Sequence, residues 1–164
     1  MARDKLSALA RRIGARLKAR SLKLATAESC TGGWIAQAVT SVPGSSEWFD
    51  RGFVTYSDES KKELLGVHAR TLSRHGAVSR ETAKEMATGA LARSCAQIAV
   101  AVTGIAGPTG GTKEKPVGMV CFAWSRKGRV PESVTRRFSG GRESVRRQSV
   151  IAALQGLLER LGEG

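Results

Sequence analysis

Glu28-Ser29-Cys30-Thr31-Gly32-Gly33 follows directly on a short apolar run, Lys23 to Ala27. A strand that runs into a tight turn and then a helix leaves backbone N–H groups unpaired at the helix start. Such groups bind an anion or stabilise an oxyanion. Gly32 and Gly33 let a ligand approach the backbone closely. Ser29 falls at the carboxyl end of the strand, the usual ligand edge of an α/β sheet. Cys30 beside it is intrinsically the better nucleophile. A plain structural reading also fits this turn, with Ser29 or Thr31 capping the next helix.

Two further segments hold chemically useful groups. Tyr56, the single tyrosine of the chain, ends an apolar run, and Lys61 follows five residues later. A lysine serves as a general base when burial or a neighbouring cation lowers its pKa; otherwise Lys61 and Lys62 are solvated surface groups. The two histidines, His68 and His75, lie in a helical segment away from the glycine turns. A Ser-His-Asp triad is therefore poorly supported, and elimination favours a Ser-Lys arrangement. Thr103-Gly104-Ile105-Ala106-Gly107-Pro108-Thr109-Gly110-Gly111 follows a buried strand. Its backbone amides suit a phosphate, or it is simply a flexible loop. It matches neither a Walker A loop nor a dinucleotide fingerprint.

Eight Lys/Arg lie between Arg126 and Arg147, against Glu132 and Glu143. Arg142 could clamp a phosphate bidentately; Arg146 and Arg147 do likewise or solvate a helix face.

These groups need a frame. Leu6, Leu9, Ile13 and Leu17 recur at helical spacing. Lys23 to Ala27 reads as a strand, Trp34 to Thr40 as a helix stopped near Pro43-Gly44, and Phe49 to Tyr56 as a strand. Ser57-Asp58 caps a helix that runs to Leu65, and Gly66 ends it. Ser79 caps a longer helix through Ala83, Met86, Ala87, Ala90 and Leu91. Ile98 to Val102 is a buried central strand. Val117 to Trp124 and Val134 to Phe138 form a hairpin around Lys127-Gly128. A last helix runs from about Arg142, with Ile151, Leu154, Leu158 and Leu161 on one stripe. The order α-β-α-β-α-α-β-β-β-α predicts a three-layer α/β/α sandwich with a mixed, mostly parallel central sheet, in one domain over residues 1–164.

With 164 residues, 41% hydrophobic and 25% charged, the chain has an ordinary globular balance. Three cysteines at wide spacing exclude a disulfide framework and a CxxC zinc site and suit a reducing cytoplasm. The longest uncharged stretch, Ser94 to Thr112, holds five glycines or prolines and cannot span a bilayer. The Arg-rich start resembles a transit peptide superficially but reads as the first helix. No cluster of metal ligands is visible. The net charge of +13 favours an anionic ligand, or reflects composition alone. Aromatics are not interleaved with the basic stretch, so nucleic acid is an unlikely partner. Trp34, Trp48 and Phe49 lie near predicted loops, where they anchor a second copy, with a dimer favoured, or belong to the core.

Taken together, the segments resemble the CinA C-terminal domain family. The resemblance rests on Thr26 to Gly33, Gly44-Ser45-Ser46 through Phe49, Gly52 to Ser57, Lys61, and Gly76-Ala77-Val78-Ser79. It continues through Thr103 to Gly111, Lys115-Pro116-Val117-Gly118, and Phe138-Ser139-Gly140 to Arg147-Gln148, and covers residues 5–161 in order. It implies hydrolysis of nicotinamide mononucleotide to nicotinic acid mononucleotide and ammonia, a step of pyridine-nucleotide salvage, without a cofactor. It further implies Ser29 as nucleophile, Lys61 as its base, and Tyr56 relaying or orienting the proton. Glu28, Cys30, Thr31, Gly32, Gly33, Thr103, Gly104, Gly107 and Arg142 would line the substrate, and Cys30 would be a small packing group. The alternatives are a non-catalytic nucleotide- or nucleic-acid-binding module and an amidase for a different nucleotide-like substrate.

Overall fold

Three segments alternate large and small side chains: Leu24–Glu28 reads LATAE, Ile98–Gly104 reads IAVAVTG, and Met119–Arg126 reads MVCFAWSR. Successive strand residues point to opposite faces, so this alternation gives a sheet with one bulky face and one flat face. Leu24, Ile98, Val100, Val102, Val120, Phe122 and Trp124 join one apolar core. Ala25, Ala27, Ala99, Ala101, Cys121 and Ala123 join the other.

The structure, a computed structural model, describes residues 2–162. The elements run α1 (Ala2–Ala19), β1 (Leu24–Glu28), α2 (Trp34–Thr40), a 3-10 turn (Ser45–Glu47), β2 (Phe49–Val54), α3 (Asp58–Leu65), α4 (Ala69–His75), α5 (Arg80–Ala92), β3 (Ile98–Gly104), β4 (Met119–Arg126), β5 (Glu132–Arg137) and α6 (Arg142–Leu161). The strands form one sheet in the order β2-β1-β3-β4-β5. Its β2-β1-β3 half is parallel, and β4 and β5 add antiparallel. The sheet is mixed, as the element order predicts. It lies between a layer of α1, α2 and α6 and a layer of α3, α4 and α5, which makes the three-layer sandwich.

The bulky face packs under α1 and α6. Ile13, Leu17, Leu154 and Leu157 there are fully buried, each contributing about 1.5–3 kcal/mol. Trp48 belongs to this core too, its ring filling the space beside Gly14 of α1. It is no partner anchor. Phe49 packs against the same cluster and is half-buried. The flat face lets α5, which offers Ala83, Ala87 and Ala90, lie close to the sheet.

Three elements differ from the sequence reading. The strand at Phe49 stops at Val54, because Thr55 and Tyr56 turn toward α3. The hairpin strands shift toward the turn because Pro116 to Met119 form a turn of their own, closed by the Met119 N–H on the Pro116 carbonyl. Helix α4 is missing from the predicted order, although the segment of His68 and His75 reads as helical; none of its residues is fully buried and only Leu72 packs on the core, so it carries no apolar stripe. The Glu85 carboxylate anchors it instead, accepting from the His68 N–H at 2.8 Å and from the Thr71 hydroxyl. His68 caps this helix and His75 ends it.

Helix α3 is positioned by contact. A Cβ on Gly89 of α5 would sit 1.9 Å from the Leu65 carbonyl oxygen at the end of α3. Replacing a mid-helix glycine by alanine ordinarily stabilises by about 1 kcal/mol. Here the sign reverses. Gly89→Ala is expected to destabilise by about 1–3 kcal/mol through overpacking, a Tm loss of roughly 2–12 °C at this chain length. An unchanged or higher melting temperature by circular dichroism would show that this contact does not hold α3.

Candidate active site

The parallel strands β2, β1 and β3 all end on one edge of the sheet. Three loops leave that edge, 29–33, 55–57 and 105–118, and the start of α6 lies over them. The same alternation that sorts the core also sorts the first loop. Ser29, in phase with Ala25 and Ala27, faces the α3 side; Cys30, in phase with Leu24, packs into the core under α1 and α6.

Helix α3 opens with a capping box. The Ser57 hydroxyl accepts from the Ser60 N–H, and the Ser60 hydroxyl accepts from the Ser57 N–H. Within α3, Lys61 and Leu65 are spaced four apart and form its buried face. Lys61 is completely buried. Its Nζ lies 2.9 Å from Ser29 Oγ, 2.8 Å from the Thr55 carbonyl oxygen and 3.2 Å from the Tyr56 carbonyl oxygen. Burial lowers its pKa from the ordinary lysine value, partly opposed by Asp58. Carbonyls only accept, so both take N–H groups from Lys61. A neutral amine has two N–H groups and one lone pair, and the remaining partner, the Ser29 hydroxyl, can donate to that lone pair. Deprotonated Lys61 is thereby satisfied on all sides and aimed at the serine.

Glu28 is buried under α2. Its carboxylate accepts from the Thr31 hydroxyl at 2.5 Å, the Ile35 N–H at 2.8 Å and the Ala36 N–H at 3.0 Å. It therefore caps α2 from inside the fold and occupies the amides that would otherwise face a ligand. The donors left to the turn come earlier. Among the described residues, no acceptor faces the Thr31 or Gly33 N–H, whereas the Gly32 N–H closes the turn on the Ser29 carbonyl at 3.0 Å. Gly32 and Gly33 both take positive φ, +60° and +103°, which a side chain would strain.

Burial pushes the Cys30 thiol up to about 12. Thr103 is also buried, and its hydroxyl donates to the Ala77 carbonyl at 2.9 Å, tying the loop before α5 to the end of β3. Gly104 and Gly107 are close-packing positions, where a Cβ would come within 2.7 Å of Val120 and 2.6 Å of Val117. Arg142 bridges two loops. Its guanidinium donates to the Gly107 carbonyl at 2.7 Å and to the Tyr56 hydroxyl at 3.1 Å. The Tyr56 carbonyl, and not its exposed phenol, reaches Lys61. Arg146, whose role the sequence left open, donates to the Cys30 and Thr31 carbonyls, both at 3.1 Å, and lies 5.5 Å over the half-buried Trp34 ring.

Beside the turn opens a cavity of about 470 Å³ lined by Thr31, Gly32, Gly33, Trp34, Gln37, Glu143 and Arg146. A hollow of about 340 Å³ lies at the opposite edge of the sheet, by Ile98, Trp124 and Arg160, and one of about 450 Å³ between Leu65 and Glu85; none of the three is lined by Ser29 or Lys61. Among the described residues no group of three or more His, Cys, Asp or Glu is arranged to hold a metal ion. No helix among them is long and apolar enough to cross a membrane.

Fold and site thus define a three-layer α/β protein with a serine and a buried lysine in hydrogen-bond contact at the carboxyl edge of its parallel strands. The family model of the CinA C-terminal domain matches residues 6–161, and the chain belongs to that family. It is 51% identical over 162 residues to the nicotinamide-nucleotide amidohydrolase PncC of Escherichia coli K12, covering 98% of this chain and 97% of that protein. It is 53% identical over 156 residues to the protein of the same name from Pseudomonas putida, covering 95% and 97%. The crystal structure of the competence/damage inducible protein CihA from Agrobacterium tumefaciens superposes with a TM-score of 0.93 at 48% identity, covering 97% of this chain and 96% of that one.

The Glu28 cap carries a testable consequence. The Ile35 and Ala36 N–H groups are taken by different oxygens, so glutamine at this position keeps one accepting oxygen and turns its NH2 group toward one of these two backbone donors. Glu28→Gln is expected to destabilise by about 1–3 kcal/mol, read by chemical denaturation. A variant as stable as the parent would remove the carboxylate from its place as the α2 anchor.

Proposed function

We propose that this protein is a nicotinamide-nucleotide amidohydrolase, which hydrolyses the carboxamide of nicotinamide mononucleotide to the carboxylate and ammonia by a serine–lysine mechanism, in pyridine-nucleotide salvage. The observation that carries the chemistry is the 2.9 Å contact between Lys61 Nζ and Ser29 Oγ in a fully buried setting. The substrate is inferred from near-full-length identity of about half to relatives named for that activity.

In this reading neutral Lys61 takes the Ser29 proton as Oγ attacks the carboxamide carbon. The oxyanion forms against backbone N–H groups of the turn, Thr31 foremost, and each such donor is worth about 10²–10³ in rate. The ammonium of Lys61 returns the proton to the departing nitrogen, which leaves as ammonia. Water then attacks the acyl ester, giving a proton to Lys61, and Ser29 regains its own from there. The Tyr56 and Thr55 carbonyls orient the amine. Arg142 has N–H groups to spare beyond Gly107 and Tyr56, and with the 103–111 loop it receives the ribose phosphate, which positions the amide for attack. Three cysteines without disulfide partners suit a cytoplasmic enzyme. The sheet and its two cores draw on both ends of the chain, which supports one amidase domain. Exposed Val54, Tyr56 and Leu64 near the site support a homo-oligomer.

Incubation with nicotinamide mononucleotide should release ammonia and the acid mononucleotide, read together by ammonia assay and product mass. Ser29→Ala should abolish turnover, while Cys30→Ala keeps most of it. The opposite ranking would move the nucleophile to Cys30, and no ammonia from folded parent protein would refute the amidase assignment.

The base must be neutral to act, so activity rises with pH as Lys61 loses its proton. Burial lowers that pKa, so the midpoint of the acid limb of kcat/KM should lie below the ordinary lysine value of about 10.4. Lys61→Arg, which keeps its charge at every accessible pH, should be inactive throughout. A limb centred at or above the ordinary value, or an active arginine variant, would exclude Lys61 as the base.

A further inference from the structure

Arg142 and Arg146 stand one turn apart on α6 and both point toward the loops of the site, yet their partners differ. Arg142 holds Gly107 and the Tyr56 hydroxyl from the solvent side. Arg146 spends its guanidinium on the nucleophile turn, with Nε on the Cys30 carbonyl and Nη2 on the Thr31 carbonyl. The Thr31 carbonyl has a second donor, the Trp34 N–H at 3.1 Å. For the Cys30 carbonyl, Arg146 is the one hydrogen-bond donor among the described residues.

That single bond has a geometric effect on the next residue. The cis peptide among the described residues is Gly107-Pro108, so Cys30-Thr31 is trans. In a planar trans peptide the C=O of one residue and the N–H of the next point in opposite directions. Fixing the Cys30 carbonyl on Arg146 therefore aims the Thr31 N–H away from α6, and among the described residues this N–H has no acceptor. The guanidinium itself is held: it lies over the Trp34 ring, 5.5 Å from its centroid, and Trp34 is the first residue of α2.

We propose that Arg146 is a positioning residue of the reaction, a clamp that sets the direction of the Thr31 amide and so forms the oxyanion site, and that it is not a ligand of the substrate phosphate. This rests on the amidase reading above, with Ser29 as nucleophile. Arg146 touches no reacting atom and acts through the Cys30-Thr31 peptide.

The test compares the full-length parent with Arg146→Met, Arg146→Lys and Arg147→Met. Arg147 pairs with Glu143 at 2.8 Å and, like Arg146, lies over the Trp34 ring, 5.8 Å from its centroid, but it makes no hydrogen bond to the turn, so it controls for loss of charge and of the ring contact. The first readout needs no substrate. Hydrogen exchange at the Gly32 and Trp34 amides, both bonded inside the turn, should accelerate at least about 10-fold in Arg146→Met, with β3 amides unchanged. Arg147→Met should leave both at the parent rate. The second readout is steady-state kinetics with nicotinamide mononucleotide. Arg146→Met should lower kcat about 10²-fold, the size of one lost oxyanion donor, with KM within about 3-fold. Arg146→Lys should recover part of the loss, since one ammonium reaches one carbonyl, and added guanidinium should restore part of the Met variant. Unchanged exchange in the turn overturns the clamp. A raised KM with unchanged kcat overturns it as well, and makes Arg146 a substrate ligand. If the parent releases no ammonia, the amidase reading falls, and the exchange rates alone decide whether Arg146 holds the turn.

Discussion

A lysine with no solvent exposure is the constraint around which this protein is arranged. An ammonium taken out of water without compensation costs several kcal/mol, and the fold offers Lys61 two carbonyl oxygens and one hydroxyl, but no carboxylate within hydrogen-bond reach. Burial thus shifts the amine toward its neutral form, whose lone pair has one partner able to donate to it, Ser29. The stability lost by burying a titratable group and the chemistry gained from its lowered pKa come from the same desolvation. Helix α3 can hold Lys61 there only because it is pressed against α5 where Gly89 has no side chain. Helix α5 in turn approaches the sheet closely because β1, β3 and β4 turn alanines and a cysteine toward it. An alternation of residue sizes along three strands is thereby connected to the protonation state of one amine.

Much of this frame was legible in the sequence. The central strand, the hairpin, the capped helix at Ser57 and the last helix follow from periodicity and turn residues, and the structure moves their ends by a few positions. The large–small alternation is present in the sequence as well, and with it the face each residue takes. Phase along β1 separates Ser29 from Cys30, and spacing along α3 pairs Lys61 with Leu65; both signals were available. Helix α4 was legible only as a helical segment around His68 and His75, since it packs little more than a half-buried Leu72 on the core and depends on the Glu85 carboxylate from another helix. The role of Arg146 was not legible either. Contacts between residues more than a hundred positions apart, as Arg146 is from Cys30, leave no local trace in a single sequence.

The two sides of the turn at Ser29 are held by opposite charges. Glu28 lies beneath it and takes the N–H groups of Ile35 and Ala36; Arg146 lies above it and takes the carbonyls of Cys30 and Thr31. Each ionised group meets backbone dipoles of the matching sign, which makes these hydrogen bonds stronger than neutral ones. The arrangement also selects which backbone groups remain for a ligand. With the α2 amides occupied and the Gly32 amide closing the turn, the free donors lie next to Ser29 itself. A helix start that would otherwise serve as a general anion site is narrowed to a site beside one hydroxyl.

Cysteine chemistry at this turn is disfavoured by the same geometry. Cys30 is the intrinsically stronger nucleophile, but the reactive species is the thiolate. Its pKa is pushed up to about 12 by burial, so on the order of 10⁻⁵ of the thiol is ionised at neutral pH. Its side chain faces the core beneath α1 and α6, on the side away from Lys61. A one-residue change of phase in β1 would exchange the two positions, bringing Cys30 to the lysine and burying Ser29. That phase is fixed by Leu24, whose side chain fills the bulky core and cannot turn to the flat face without displacing α5. Which of the two, serine or cysteine, stands beside Lys61 is therefore set five residues upstream, by a packing preference and not by the reactivity of either group.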